Sequence, residues 1–471
     1  MAAELMERAD RAQWSFVKDG LVWQPTKIHL SDVSGSLTDF VNNPDRSRAT
    51  VAGWRLRPDA FDNARGLSAG ATWWLQSRPS PICVRCRAAE LAIFSTGVGF
   101  VSLDFIPRQS PRESDMSSLA PDRVSTWVEL SHDLRYLGGV QSRPLVVERR
   151  TGGAPHSKQS CFAAFDTSAP VATGDEGRLH HLIDGLLSTL SPSPPADGVR
   201  VASPPVELRL RSRSHAFVSL FLVSAADRQI RETVLRLRAN ARSGADFVPS
   251  EKDLRLDGEG VYLRAESAWH YMSQTTAGFV GNDLPERGYF AQVPNEFRHQ
   301  YQLGLLFALQ QRYALLGLAE RVSDEWLEPD ESDRVAAFRA IQDDLHHLMA
   351  RGMPSELLER DGQQRFYAFA QRELRVPELF GDVRTSVAEL NDAVRLRFSE
   401  ALQDRQHRFE QRVSIFALLF GVPSLALAFL GVNIRGVTAP DAIPLWFALA
   451  FLVFAFCLGA LIGRAIRGSQ Q

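Results

Sequence analysis

Apolar and polar positions follow three different rhythms along this chain. Residues 91–96 and 98–103 are short apolar, β-branched runs on either side of Gly97 and predict two strands that meet there. A further strand is expected at 144–147, closed by Glu148-Arg149-Arg150, with others at 161–165 and 206–223. Stretches 107–121, 166–177 and 191–205 are rich in Ser, Pro, Asp or Gly and predict loops. Residues 227–242 read as an amphipathic helix with basic outer positions.

From about residue 295 the rhythm becomes helical. Residues 297–321 are heavily apolar but carry Gln310-Gln311-Arg312 in their middle. An Arg near a bilayer centre costs about 2.5 kcal/mol or more, so this segment is expected to be a buried helix of a water-facing domain. Residues 331–351 and 355–374 predict a helical pair broken at Gly352-Met353-Pro354. Pro377 and Gly381-Asp382 are expected to end that region, with Asp382 capping a helix from Val383. No Gly or Pro then occurs until Gly421 and Pro423, which predicts one long stalk.

The third rhythm is an absence of charge. None occurs from Val413 through Asn433, nor from Ala442 until Arg464, and the apolar runs 413–430 and 445–463 lie within these stretches. Each run matches a hydrocarbon core of roughly 30 Å crossed as a helix. Arg405, Arg408 and Arg412 precede the first run, and Arg464 and Arg467 follow the second. The loop between holds only Arg435 and Asp441. Basic flanks favour the cytoplasmic side, so both termini are expected there, in a cytoplasmic (inner) membrane protein. The charged start lacks the apolar core of a signal peptide.

The expected architecture is an α/β cytoplasmic domain (1–290), a cytoplasmic helical region (291–382) and a stalk helix (383–412). Two transmembrane helices (413–433 and 445–463) follow, joined by an extracytoplasmic loop (434–444).

One line along the stalk and first span stands out. Glu400, Gln403, His407, Glu410, Ser414, Ala417, Gly421, Ser424, Ala428 and Gly431 follow 3-4 spacing. Inside the span every residue of the line is Ser, Ala or Gly. Val387, Leu390, Val394, Phe398, Leu402, Phe409, Val413 and Phe416 form a packing face elsewhere on the helix. A strict seven-residue period implies a left-handed supercoil of several such helices. The small line suits close helix packing or a narrow pore. Its polar cytoplasmic extension and the terminal Asn433 favour the pore.

Composition narrows the chemistry. The chain has 471 residues, 45% of them apolar, and a formal charge of −2, so no basic field points to nucleic acid. Its length favours two or three domains. Cys83-Val84-Arg85-Cys86 has metal spacing, but no second pair completes a four-ligand site. Gly97-x-Gly99 reads as turn chemistry. There is no Walker loop, HExxH or nucleophile elbow, so the sequence gives an enzyme little support.

Gly431-Val432-Asn433, directly after the first of two C-terminal spans and a long stalk helix, resembles the signature of CorA-type divalent-cation transporters. The resemblance covers roughly residues 383–471. It implies a homopentamer, a funnel-shaped cytoplasmic domain and a pore lined by the first span. It also implies that Asn433 side chains and Gly431 carbonyls ring the outer mouth around a hydrated cation. Neutral acceptors suit Mg²⁺, which gives up its water reluctantly. Gly-Val-Asn is closer to the zinc-transporting ZntB branch, and Arg435 stands where magnesium transporters tend to carry acidic residues. The ion is therefore left open among Mg²⁺, Zn²⁺, Co²⁺ and Ni²⁺.

The family is gated by cations held between cytoplasmic carboxylates. Candidates here are Asp330, Glu331, Asp333, Asp343 and Asp344, with His346 and His347 adjacent. Asp343 and His347 are one helical turn apart, a spacing zinc accepts, although a solvated helix explains the same acids. The imidazole of His407 on this line bears on proton-coupled zinc movement, although a polar position in a wide, wet funnel explains it equally. Two functions follow. One is a CorA-like divalent-cation channel in a lipid bilayer, with Gly431, Asn433, Ser424, Gly421, Ser414, Glu410 and His407 along the ion path. No cofactor is expected beyond the cation. The alternative is a CorA-fold membrane effector or sensor whose large cytoplasmic domain answers to a ligand or partner.

Overall fold

A computed structural model describes residues 23–26, 50–56, 72–75, 82–107, 124–133, 145–148, 215–241, 248–256, 260–282, 293, 295–327, 331–434, 453–454 and 457. The expected strand at 161–165 and the loops at 166–177 and 191–205 lie outside them. The chain divides into two compact units, Met1–Thr385 and Ser386–Gln471.

The first unit holds two sheets. Strands β1 (Trp23–Thr26), β2 (Val51–Leu56), β3 (Thr72–Leu75), β4 (Ile82–Phe94), β5 (Gly99–Pro107) and β6 (Leu145–Glu148) form the first, in the order β1-β2-β4-β3-β6 with β5 also on β4. The expected hairpin is present. Its two strands run antiparallel, and Gly97 turns the chain at φ 84, a left-handed value that glycine adopts freely. β4 has 13 residues, long enough to pair with three neighbours. Helix α1 (Val124–Asp133) follows β5.

The second sheet is built from β7 (Ala216–Leu222), β8 (Val261–Ala265), β9 (Ala268–Met272) and β10 (Thr276–Asn282), ordered β7-β10-β9-β8. β7 and β10 are parallel, and the crossover between β7 and the rest of the sheet carries α2 (Asp227–Ala239). Helix α2 sits where its amphipathic pattern predicts. Asp227 opens it, Arg236 and Arg238 lie in its last turn, and both suit the helix dipole. Asn240 closes it in the left-handed conformation, so the helix stops short of the expected residue 242.

Every residue of β9 and β10 is buried. That requires cover on both faces of the sheet. One face is mainly aliphatic: Leu220, Val261, Trp269, Tyr271 and Val280 pack with Ile230, Val234 and Leu237 of α2. The other is aromatic. Phe217 stacks on Phe297 at 3.9 Å, and His270 lies 5.1 Å from the rings of both Tyr301 and Phe366. Gly278 is obligatory here, because a Cβ would stand 2.1 Å from the Val218 carbonyl oxygen and 2.4 Å from the Tyr271 hydroxyl.

The helices supplying the aromatic cover begin with a π-helical turn, Phe297–Tyr301, continuous with α3 (Gln302–Leu327). Then come α4 (Glu331–His347), a second π turn (Leu348–Gly352) and α5 (Asp361–Glu373). Phe307 of α3 meets Phe94 of the first sheet edge-on at 5.1 Å. The polar interruption in α3 is held by hydrogen bonds, with Gln310 Oε1 left without a partner. Gln310 donates to the Thr96 hydroxyl at 2.8 Å. Gln311 donates to the Gly352 carbonyl at 2.8 Å and to the Tyr367 hydroxyl at 2.7 Å. Arg312 donates to the Leu374 carbonyl. Gln310 and Gln311 are buried and Arg312 is half-buried.

Two expected boundaries are corrected. α5 starts at Asp361 rather than residue 355, because the preceding segment wraps Gln364, whose side-chain oxygen accepts from the Leu357 and Leu358 amides. The last helix, α6, runs Val376–Ile434 over 59 residues and does not wait for Val383. Pro377 falls in its first turn, where its missing N–H has no intrahelical partner to lose. Gly381 and Asp382 are internal, so Asp382 is not a cap. Burial of Val376, Val383, Val387 and Leu390 outweighs the roughly 1 kcal/mol that an internal glycine costs.

Candidate functional site

Helix α6 carries the expected ion line, and its backbone is unbroken from Glu400 to Asn433. A helix puts positions three and four apart on one face. Glu400, Gln403, His407, Glu410, Ser414, Ala417, Gly421, Ser424 and Ala428 are all exposed in the single chain. Nothing lies within 4 Å of where a Gly421 side chain would begin. His407 Nδ1 lies 3.7 Å from a Glu410 carboxylate oxygen, and Gln406 donates to the other oxygen at 3.1 Å. The N-terminal part of the line thus brings together one imidazole and one carboxylate. Gly431 and Asn433 fall in the last turn of the helix. Arg435 and Asp441 lie outside the described residues.

The face expected to pack divides in two. Val387 and Leu390 are buried, whereas Leu402, Phe409, Val413 and Phe416 are exposed, and so is Phe420. Among the described residues, no helix is long and apolar enough to cross a membrane. The run 445–463 is described only at Val453, Phe454 and Cys457, which are helical and exposed.

Of the expected sensor residues, side chains are described for Asp343, Asp344, His346 and His347. Among the described residues, no three His, Cys, Asp or Glu side chains are placed to hold a metal ion. Asp343 is exposed, and Asp344 pairs with Arg321, tying α4 to α3. His347 is half-buried, and that burial, with Arg351 nearby, holds its pKa below the usual imidazole range. Its Nε2 has no hydrogen-bond partner. His346 is exposed. Glu331 and Asp333 lie at the start of α4, and Asp330 is outside the described residues. Cys83-Val84-Arg85-Cys86 lies within strand β4.

A different set of polar residues converges where spacing gave no hint. Arg264 on β8 lies 4.0 Å from Glu296, at the entry to the π turn, and against the first turn of α5, and its charge reaches His270 on the adjacent strand. Their sequence separation hides them, and the one signal available was the presence of charged or polar residues inside otherwise apolar segments.

No protein-family model, no curated protein and no solved structure matches this chain.

Proposed function

We propose that this protein is a CorA-like homo-oligomeric channel for a divalent cation, with α6 lining the path. The supporting observation is the continuity of α6. One unbroken helix presents a polar line from Glu400 to Ser414 that carries on as Ala417, Gly421, Ser424 and Ala428. Leu402, Phe409 and Phe416 are exposed away from that line. A helix with an apolar flank and a small polar-to-neutral flank meets both requirements of a pore-lining element. The first contacts lipid or neighbouring helices, and the second leaves room for a hydrated ion. Five copies arranged as the resemblance implies would place Gly431 and Asn433 at the outer mouth. Glu410 and His407 would then sit at the cytoplasmic end, where a charged or titratable ring suits cation exit.

The test is uptake into liposomes holding the purified protein, with Mg²⁺, Zn²⁺, Co²⁺ and Ni²⁺ compared. The expected result is uptake of one ion that falls at least tenfold in Asn433→Ala. A folded oligomer that moves none of the four would sink the transport reading. It would favour the effector alternative, in which the cytoplasmic unit must first bind a ligand.

A further inference from the structure

The buried polar cluster on the aromatic face of the second sheet includes no residue of the α6 line. Arg264 lies against the first turn of α5, where a methyl on Gly362 would stand 3.5 Å from Nη2. Glu296, whose side chain is 5% exposed, takes Arg360 on Oε1 at 3.0 Å. Its Oε2 lies 4.0 Å from Arg264 Nη2, beyond hydrogen-bond range, and receives no donor. His270 is fully buried with neither ring nitrogen partnered. Gln363, the residue after Gly362, is fully buried with both ends of its amide unpartnered, and the Tyr262 hydroxyl has no partner either. Buried polar atoms without partners are rare in a native fold, so several in one place call for a missing companion.

The chemistry of that companion follows from the charges around it. Arg264 and Arg365 both disfavour protonated His270, and both favour the ionised form of Tyr262. The potential at those groups is therefore positive. The dipole of α5 adds to it, offset in part by the exposed Asp361 carboxylate of the same turn, where the Gln363 and Gln364 amides bond to the Arg360 carbonyl. An oxyanion meets this demand, and guanidinium groups hold oxyanions well. Glu296 imposes a second condition. Its free Oε2 repels a bare anion and needs a donor. Hydrogen phosphate and phosphate monoesters protonated once satisfy both, since they carry O⁻ and O–H on one phosphorus. Sulfate carries no O–H at neutral pH.

We propose that Arg264, Arg365, Glu296 and the first turn of α5 form a binding site for a small phosphate-bearing molecule, its P–O⁻ toward the guanidiniums and its P–O–H donated to Glu296. Arg365 is exposed, and the Arg360 side chain is half exposed, which leaves an approach to the buried groups. The site does not depend on the channel reading, and either can fail alone.

The experiment is a thermal melt and isothermal titration of the full chain in detergent, using inorganic phosphate, ribose 5-phosphate and sulfate at matched ionic strength. Phosphate or its ester is expected to bind saturably, at least tenfold tighter than sulfate. Tighter binding of the ester would identify an organic ligand, and equal binding would identify the free ion. Arg365→Ala, at an exposed position, is expected to weaken phosphate at least tenfold. Glu296→Gln replaces an acceptor with a donor and is expected to shift preference toward sulfate. Equal response to phosphate and sulfate, unchanged in Arg365→Ala, would overturn the proposal, as would no binding by any of the three.

Discussion

Phe366 and Phe416 are the same side chain on two helices of one chain, yet the first is fully buried and the second is 65% exposed. Phe366 sits among His270, Tyr301 and Phe369, with ring centroids 5.1 to 6.4 Å away. Among the described residues, Phe416 stacks on Phe420, a turn further along its own helix at 5.7 Å. Phe366 is enclosed within its own unit, although Phe221 of the same unit is 43% exposed. Helix α6 beyond Leu390 presents its large apolar side chains outward, at Leu396, Leu402, Phe409, Phe416 and Phe420. Contiguous exposed apolar surface marks a place where something else belongs. The contrast is between a ring enclosed by its own unit and a row of exposed apolar side chains along one helix.

Truncating the two rings tests this most directly. Phe366→Ala is expected to cost about 3–5 kcal/mol of unfolding free energy, read from urea titration by tryptophan fluorescence. Phe416→Ala in the dissociated chain is expected to change it by no more than about 0.5 kcal/mol. The same variant should shift the proportion of cross-linked oligomer in reconstituted membranes. Equal destabilisation of the dissociated chain by both would break the comparison.

A smaller effect sharpens the internal side of it. His215 is buried with neither ring nitrogen hydrogen-bonded, and that burial pushes its pKa down to about 4. His270 is pushed well below the ordinary 6.5, again chiefly by burial. Both are held neutral in the fold while the unfolded chain binds protons at ordinary imidazole values. Stability is thus full above about pH 6.5 and falls as the pH drops toward 4, by up to about 1.4 kcal/mol per pH unit for each histidine. His215→Leu should flatten this slope between pH 6.5 and 4 in urea titrations. An unchanged slope would show that the His215 ring is protonated or solvated in the folded chain.

Periodicity made some of this architecture legible and hid the rest for physical reasons. The β4–β5 hairpin was readable because Gly97 sits between two apolar runs, and α2 because only one of its faces is buried. β9 and β10 were not, because strands covered on both faces show no alternation, and Ala268-Trp269-His270-Tyr271-Met272 looks the same in helix or strand. The start of α6 was missed because Pro377 and Gly381 are helix breakers by propensity, while burial of Val376 and Val383 decides the matter. The line on α6 was legible because a single helix carries all of it. The cluster at Arg264, His270 and Glu296 was not, since tertiary packing alone brings its three segments together.

The smallest effect concerns α4, where sequence spacing suggested metal ligands and the fold offers an ion pair. Asp344 pairs with Arg321, the two side chains being 36% and 43% exposed, so water screens much of their attraction. A double-mutant cycle with Asp344→Ala and Arg321→Ala should give a coupling of about 0.2–1 kcal/mol. Asp343→Ala, at an exposed position, should lie within about 0.5 kcal/mol of the parent. Neither substitution should alter the response of thermal stability to Zn²⁺ or Mg²⁺ if Asp344 serves only to join two helices. Loss of a metal-induced rise in melting temperature in Asp343→Ala would return the Asp343–His347 pair to the role of a sensor.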